Sequence, residues 1–222
     1  MTMSLVVRDG TAFGMVIASS SPAVAARCTH LRAGVGAVAS QNVTNPQLGG
    51  IALDALSGGA DAGTALAAAV DADGHPDHRQ LIVMDGAGRA AVHTGAAALG
   101  RHHHRVAADA AAAGNLLHHE DVIDALLDGY IRSPAPALER RLLDGLLAAI
   151  AAGGEAGPVH STGVQVTDDV AWAVTDLRVD WADDPVTALA DLWTVWEPQK
   201  NDYRVRGLDP TAAPTYGVPG DL

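Results

Sequence analysis

The chain has 222 residues, 48% of them hydrophobic, which suffices for one substantial core and does not call for two. Its 26 Asp and Glu against 14 Lys and Arg give a formal charge of −12 with no basic cluster to offset it, which argues against nucleic acid as a partner. The single cysteine, Cys28, excludes an internal disulfide and lacks the spaced partners of a metal site, and no apolar run reaches the roughly 18 residues of a membrane span.

The start, Met1-Thr2-Met3-Ser4, lacks the basic and apolar regions of a secretory signal, so a cytoplasmic protein is expected. Ser4 to Asp9 and Ala12 to Ser19 are β-prone runs around Asp9-Gly10, the chemistry of a tight hairpin turn. Ser21-Pro22 predicts a short helix to about Leu31, with Ser as cap and Pro in the first turn. Val35 to Gln41 reads as a buried strand closed by Asn42 to Pro46. Helical spacing runs from Leu48 to about Ala72, interrupted at Gly58-Gly59, with Asp61 capping the second segment. A second hairpin is predicted from Gln80 to Met84 and Arg89 to Thr94 around Asp85-Gly86-Ala87-Gly88.

His119 to Ile131 and Pro136 to Ala151 carry apolar residues at three- and four-residue intervals, the pattern of amphipathic helices. Thr162 to Thr167 and Val170 to Thr175 predict a third hairpin around Asp168-Asp169, and Asp184-Pro185 opens a helix to about Trp196. From 199 to 222 the chain shows no sustained period. We therefore expect one domain over 1–198 and a tail packed on it or on a second subunit, the aromatics Trp193, Trp196 and Tyr203 pointing to a homodimer. Hairpins at the start, middle and end with helices grouped between them predict an α+β fold of antiparallel sheets covered by helices, rather than a parallel sheet.

Familiar site signatures are absent: there is no phosphate-binding Gly loop with Lys-Ser/Thr, no His-Glu-x-x-His, no Gly-x-Ser-x-Gly and no Cys-x-x-Cys. His102-His103-His104 and His118-His119 read as a polar strand edge or loop, because consecutive strand residues point to opposite faces and do not converge on a metal. No metal or cofactor is called for. Thr2 is notable for its position. Loss of Met1, which a small second residue permits, leaves one residue carrying both a hydroxyl and an α-amine of pKa roughly 8, hence nucleophile and base together. Polar residues at the strand end, Ser40-Gln41-Asn42 with Thr44 and Asn45, suit a hydrogen-bonding pocket or a turn alike. Asn115 fits a helix cap or an oxyanion donor, and Asp176, Arg178 and Asp180 fit an ion-pair set at a strand end.

Taken in order, Thr2-Met3-Ser4-Leu5-Val6-Val7-Arg8-Asp9, Arg32-Ala33-Gly34-Val35-Gly36-Ala37-Val38-Ala39-Ser40-Gln41 and Thr44-Asn45-Pro46 resemble the bacterial family known as domain of unknown function 1028. Arg79-Gln80-Leu81, His93-Thr94-Gly95, His104-Arg105-Val106, Gly114-Asn115-Leu116-Leu117 and Asp176-Leu177-Arg178-Val179-Asp180 with Asp184-Pro185-Val186 continue the resemblance. So do Glu197-Pro198-Gln199 to Tyr203 and Pro214 to Gly220. Ser40 stands where many relatives have Thr, and His103 where a small residue often precedes the matching His104.

The resemblance implies an N-terminal-nucleophile hydrolase-like fold, a four-layer αββα sandwich of two antiparallel sheets between helical layers. In that fold the N-terminal residue begins a central strand, and relatives hydrolyse amides. It implies a hydrolase of a small amide or cyclic amide with Thr2 as nucleophile and Asn115 at the oxyanion. Arg79, Gln41, Thr44 and Asn45 are then expected to bind the substrate, and His93, His104, Ser161, Asp176 and Arg178 to support the site. Two other readings stand beside it: a non-catalytic binding or assembly protein on the same fold, and a hydrolase using Ser4 or Ser161 with a separate base such as His93.

Overall fold

The structure, a computed structural model, describes residues 1–218; Pro219 and Gly220 of the tail resemblance lie outside the described residues. Strands β1 (Thr2–Asp9) and β2 (Ala12–Ser19) form the expected hairpin, with Asp9 opposite Ala12. Gly10 turns the chain at φ 61°, a conformation that costs glycine little. The predicted helix after Ser21-Pro22 is shorter than expected. Only α1 (Val24–Cys28) is helical, and Thr29–Arg32 becomes β3, an edge strand paired with β4 (Gly36–Asn42). Ladder hydrogen bonds to β4 outweigh the local helical preference of this stretch.

Helices α2 (Gln47–Ser57) and α3 (Ala62–Asp71) break at the predicted glycines, and Asp61 caps α3 by accepting from the Thr64 N–H at 2.8 Å. Strands β5 (Arg79–Asp85) and β6 (Ala90–Thr94) form the second hairpin. A further hairpin follows, β7 (His103–Ala107) and β8 (Ala110–Asn115). The run Ala110-Ala111-Ala112-Ala113 is a poor strand former by composition and becomes one because it fills a narrow slot between other layers. Helices α4 (Asp121–Arg132) and α5 (Leu138–Ala151) cross closely, since a Cβ on Gly145 would lie 2.7 Å from the Leu126 carbonyl oxygen.

Strands β9 (Ser161–Thr167) and β10 (Ala173–Val179) make the last hairpin, whose second arm starts three residues later than predicted. Asp184 caps α6 (Pro185–Trp196). The tail is not irregular throughout: it holds α7 (Lys200–Leu208), with Tyr203 stacked on Trp196 at 5.1 Å and the Lys200 Nζ 2.6 Å from the buried Glu139. Trp193 is buried and the Trp196 indole N–H donates to Thr175, so these aromatics pack on their own sheet.

The strands form two antiparallel sheets, of order β10-β9-β2-β1-β8-β7 and β3-β4-β5-β6. On β1, Met3, Leu5 and Val7 face a core with α4, α5 and α6, while Val6 faces an inter-sheet core with Phe13, Met15, Ala37, Ala39, Ile82, Met84, Ala111 and Ala113. Val38, Leu81 and Val83 turn to α2 and α3. This is the αββα sandwich expected of an N-terminal-nucleophile hydrolase-like chain. No described helix is long and apolar enough to cross a membrane.

Candidate functional site

The strand period of two decides which side chains meet at the mouth between the sheets. Thr2 and Ser4 share a face of β1 with inter-sheet Val6. Ser19 shares one of β2 with Phe13 and Met15, and Asn115 one of β8 with Ala111 and Ala113. Thr2 begins β1, which lies between β2 and β8, and is the register partner of Asn115.

With Met1 in place Thr2 is 4% exposed. Its Oγ1 donates to the Met1 carbonyl oxygen at 2.5 Å, and the Ser19 hydroxyl donates to the same oxygen; the two hydroxyl oxygens are 3.4 Å apart. Ser19 has a single hydroxyl proton and gives it to Met1. Its 2.9 Å contact with Ser21 is therefore donated by Ser21, whose oxygen accepts from Arg27 Nη2 at 2.9 Å. A guanidinium thus polarises two hydroxyls in series, and the chain ends on an acyl oxygen beside Thr2 Oγ1. The Met1 side chain lies against Gly157, where an added Cβ would come within 2.9 Å of its Cε.

Glu155 completes this cluster. It is 4% exposed, its Oε2 accepts from the Ser20 N–H at 3.1 Å, and its buried Oε1 has no hydrogen-bond partner among the described residues. Burial pushes its carboxyl up to about 8, against the opposing pull of the chain's amino terminus. Asn115 is likewise half-used. Its Nδ2 donates to Gln80 Oε1 at 3.1 Å, while its buried Oδ1 has no partner among the described residues. It caps no helix, and it presents an acceptor where the sequence suggested a donor. After Asn115, Leu116 takes φ 51°, rare for a large side chain, and its carbonyl accepts from Ala156 N at 2.9 Å, which ties the end of β8 to the segment that carries Glu155.

On the side toward the four-stranded sheet the polar groups are closed. Ser4 donates to Gln41 Oε1 at 2.7 Å, Gln41 Nε2 to Gln80 Oε1 at 2.8 Å and to the Ala113 carbonyl at 3.2 Å, and Gln80 Nε2 to the Gly114 carbonyl at 3.1 Å. Arg79 points the opposite way from Gln80, with Nε 2.5 Å from Asp73 and Nη1 2.6 Å from the Val43 carbonyl oxygen. Asn45 donates to the same Asp73 at 3.4 Å, and Thr44 to the Ser40 carbonyl at 2.7 Å.

Of the supporting residues, Ser161 joins the site's border, donating to the Ser21 carbonyl and accepting from Val24 N. The His93 ring bonds the Pro76 carbonyl at 3.0 Å, so neither Ser4 nor Ser161 has a histidine as partner. His104 lies on edge strand β7, its pKa held down by desolvation and by His103 and His102. Asp176 and Arg178 pair at 3.5 Å on edge strand β10. Cys28 is buried, and desolvation raises its thiol pKa, the condition of an inert thiol. No group of three metal-ligating side chains converges among the described residues.

Sequence reasoning missed Ser19, Arg27, Gln80 and Glu155, and read Ser21 only as a cap. The Ser19-Ser20-Ser21 run at a strand end and a lone carboxylate after Gly153-Gly154 were the available signals.

Residues 2–189 match the model of a family described as a family of unknown function, DUF1028. The structure is similar to a crystal structure of a DUF1028 protein from Silicibacter pomeroyi, with 28% identity over 88% of each chain and a TM-score of 0.81. It also matches HslV from Trypanosoma brucei (15% identity, 75% of this chain and 99% of that one, TM-score 0.44). Anbu from Yersinia bercovieri matches too (13% identity, 89% and 95%, TM-score 0.40). None of the curated proteins matches the chain.

Proposed function

This chain belongs to the DUF1028 family, and from that premise we propose that it hydrolyses a small amide or cyclic amide with Thr2 as an N-terminal nucleophile. The observation that carries the reading is the convergence of the Thr2 and Ser19 hydroxyls on one acyl oxygen, that of Met1. While Met1 is attached, the Thr2 nitrogen belongs to a peptide bond and is no base. Once Met1 is removed, the α-amine is free and the place of the Met1 carbonyl is open to a substrate carbonyl.

In the proposed reaction Thr2 Oγ1 attacks the amide carbon as its proton passes to the α-amine. The oxyanion takes the Ser19 hydrogen bond, backed by Ser21 and Arg27. The C–N bond breaks as the ammonium gives its proton to the leaving nitrogen, and water then hydrolyses the Thr2 ester with the same amine as base. The unpartnered Asn115 Oδ1 and Glu155 Oε1 suit an α-ammonium better than a peptide nitrogen, since each offers an acceptor to a group with N–H to spare. Asn115 is thereby assigned to the amine rather than to the oxyanion. Gln41, Arg79, Thr44 and Asn45 are assigned to holding the pocket's floor and rim.

The test joins a mass measurement to a variant. Untagged protein should have the mass of the chain lacking Met1, and a panel of small amides should be hydrolysed by it. Thr2→Ala should lose at least about 1000-fold in kcat with its fold intact, and Thr2→Ser should keep part of it. Retention of Met1 in active protein, or full activity of the Ala variant, would sink the mechanism. Retained Met1 with no activity would favour the non-catalytic reading.

A further inference from the structure

An open cavity of about 610 Å3 remains beside the proposed site, within the size range of small-molecule sites. It is lined by Arg101, His118, His119, Leu116, Leu117 and Ala156 among others, and by no Asp or Glu among the described residues. That is unusual in a chain of formal charge −12. Of its 14 Lys and Arg, all but Arg27, Arg101 and Arg206 have a described carboxylate within 4.0 Å. Arg206 lies over the Tyr203 and Tyr216 rings, and Arg27 backs Ser21. Arg101 alone of the three lines this cavity.

Its side chain is exposed and its backbone is held. One guanidinium N–H donates to the His118 carbonyl oxygen, which leaves the remaining donors of the fork without a described partner. The Arg101 carbonyl accepts from Leu117 N at 2.9 Å. Before it, Gly100 at φ 61° has no room for a side chain, since a Cβ would meet Leu116 Cδ2 at 2.5 Å. Two lining residues follow site residues directly in the chain, Leu116 after Asn115 and Ala156 after Glu155, so the chain runs from the Thr2 cluster straight into this lining.

A guanidinium among imidazoles repels a metal ion and matches a planar anion with two oxygens. We propose that this cavity is a carboxylate-binding subsite in which Arg101 takes the carboxylate of the ligand bidentately. The amides cleaved at Thr2 are then those that carry a carboxylate, such as N-acyl amino acids and monoamides of dicarboxylic acids. That these ligands are cleaved rests on the Thr2 reading; anion binding at Arg101 does not.

The experiment is an NMR titration of the full chain and of its Thr2→Ala variant with N-acetylglycine, its neutral analogue N-acetylglycinamide, and inorganic phosphate. N-acetylglycine should shift the backbone amides of 101 and 116–119 in both proteins, and the neutral analogue should bind at least roughly tenfold more weakly. Arg101→Leu should lose roughly tenfold in affinity for N-acetylglycine and none for the neutral analogue, with Arg101→Lys between. Equal binding of the two analogues, unchanged affinity in Arg101→Leu, or phosphate binding where N-acetylglycine does not would each overturn the proposal. Selective binding of N-acetylglycine by a chain that fails the Thr2 test would leave the subsite standing and remove the hydrolase.

Discussion

Two polar regions flank Thr2, and they differ in what they leave undone. Toward the four-stranded sheet lie Gln41 and Gln80, with no exposure and every amide group hydrogen-bonded to Ser4, Asn115, Thr94 or strand carbonyls. On the β2 side lie Ser19, Ser21, Arg27 and Glu155, where a run of donors ends on an acyl oxygen and a buried carboxyl oxygen has no partner among the described residues. The first arrangement lowers the energy of the fold, because a satisfied buried amide network pins two sheets in register. The second holds buried polar atoms in a state that stability alone does not favour, and such residues are where chemistry is expected.

The sharpest way to break this contrast is to remove one group from each region. Ser19→Ala deletes the donor to the acyl oxygen and leaves packing nearly unchanged. In protein lacking Met1 it should reduce kcat about 100-fold with KM and melting temperature held, as for loss of an oxyanion donor. An unchanged kcat would place the oxyanion elsewhere. Gln80→Ala should act on the fold. It strands the Gln41 and Asn115 amide N–H groups that Gln80 Oε1 accepts, and should cost about 2–4 kcal/mol in denaturant unfolding. Loss of stability with Ser19→Ala and none with Gln80→Ala would reverse the assignment of the two regions.

The sequence carried more of the fold than of the site, for a physical reason. Strand alternation and helix spacing are written along the chain, so most hairpins and the α2 to α6 helices were legible, down to Asp61 and Asp184 as caps. The β7–β8 hairpin was not, because alanines become a strand only when neighbouring layers leave room for nothing larger. Helix α7 was missed for a related reason: its residues lack an apolar stripe and hold through Lys200 to Glu139 and Tyr203 on Trp196. At the site, Thr2 was visible from its position, and Asn115 from its place before a helix and from a resemblance. Glu155 and Arg27 gain meaning only from partners more than 100 residues away or from a loop turn, which no spacing encodes. Arg79 was expected to bind the substrate, yet Asp73 already holds it.

Glu155 gives the finest test of the contrast, because it ties stability and catalysis to one proton. In the chain carrying Met1 its carboxyl titrates higher in the fold, at about 8, than in the unfolded chain, so between about pH 5 and 8 the fold keeps a proton that the unfolded chain has lost. Its contribution to stability is therefore complete at low pH and disappears as pH rises toward 8. Glu155→Gln carries no such proton and should escape that decline. At pH 8.5 it should be more stable than the parent chain by up to a few kcal/mol, at about 1.4 kcal/mol per pKa unit, and similar to it at pH 5. The same replacement should act in the opposite sense on the reaction. Where Glu155 has lost its proton, its charge makes a nearby α-ammonium harder to deprotonate, so in Glu155→Gln the rising limb of kcat/KM against pH should move to lower pH. A stability curve that moves while the pH–rate limb stays fixed would make Glu155 a buried acid with no hold on the nucleophile's amine.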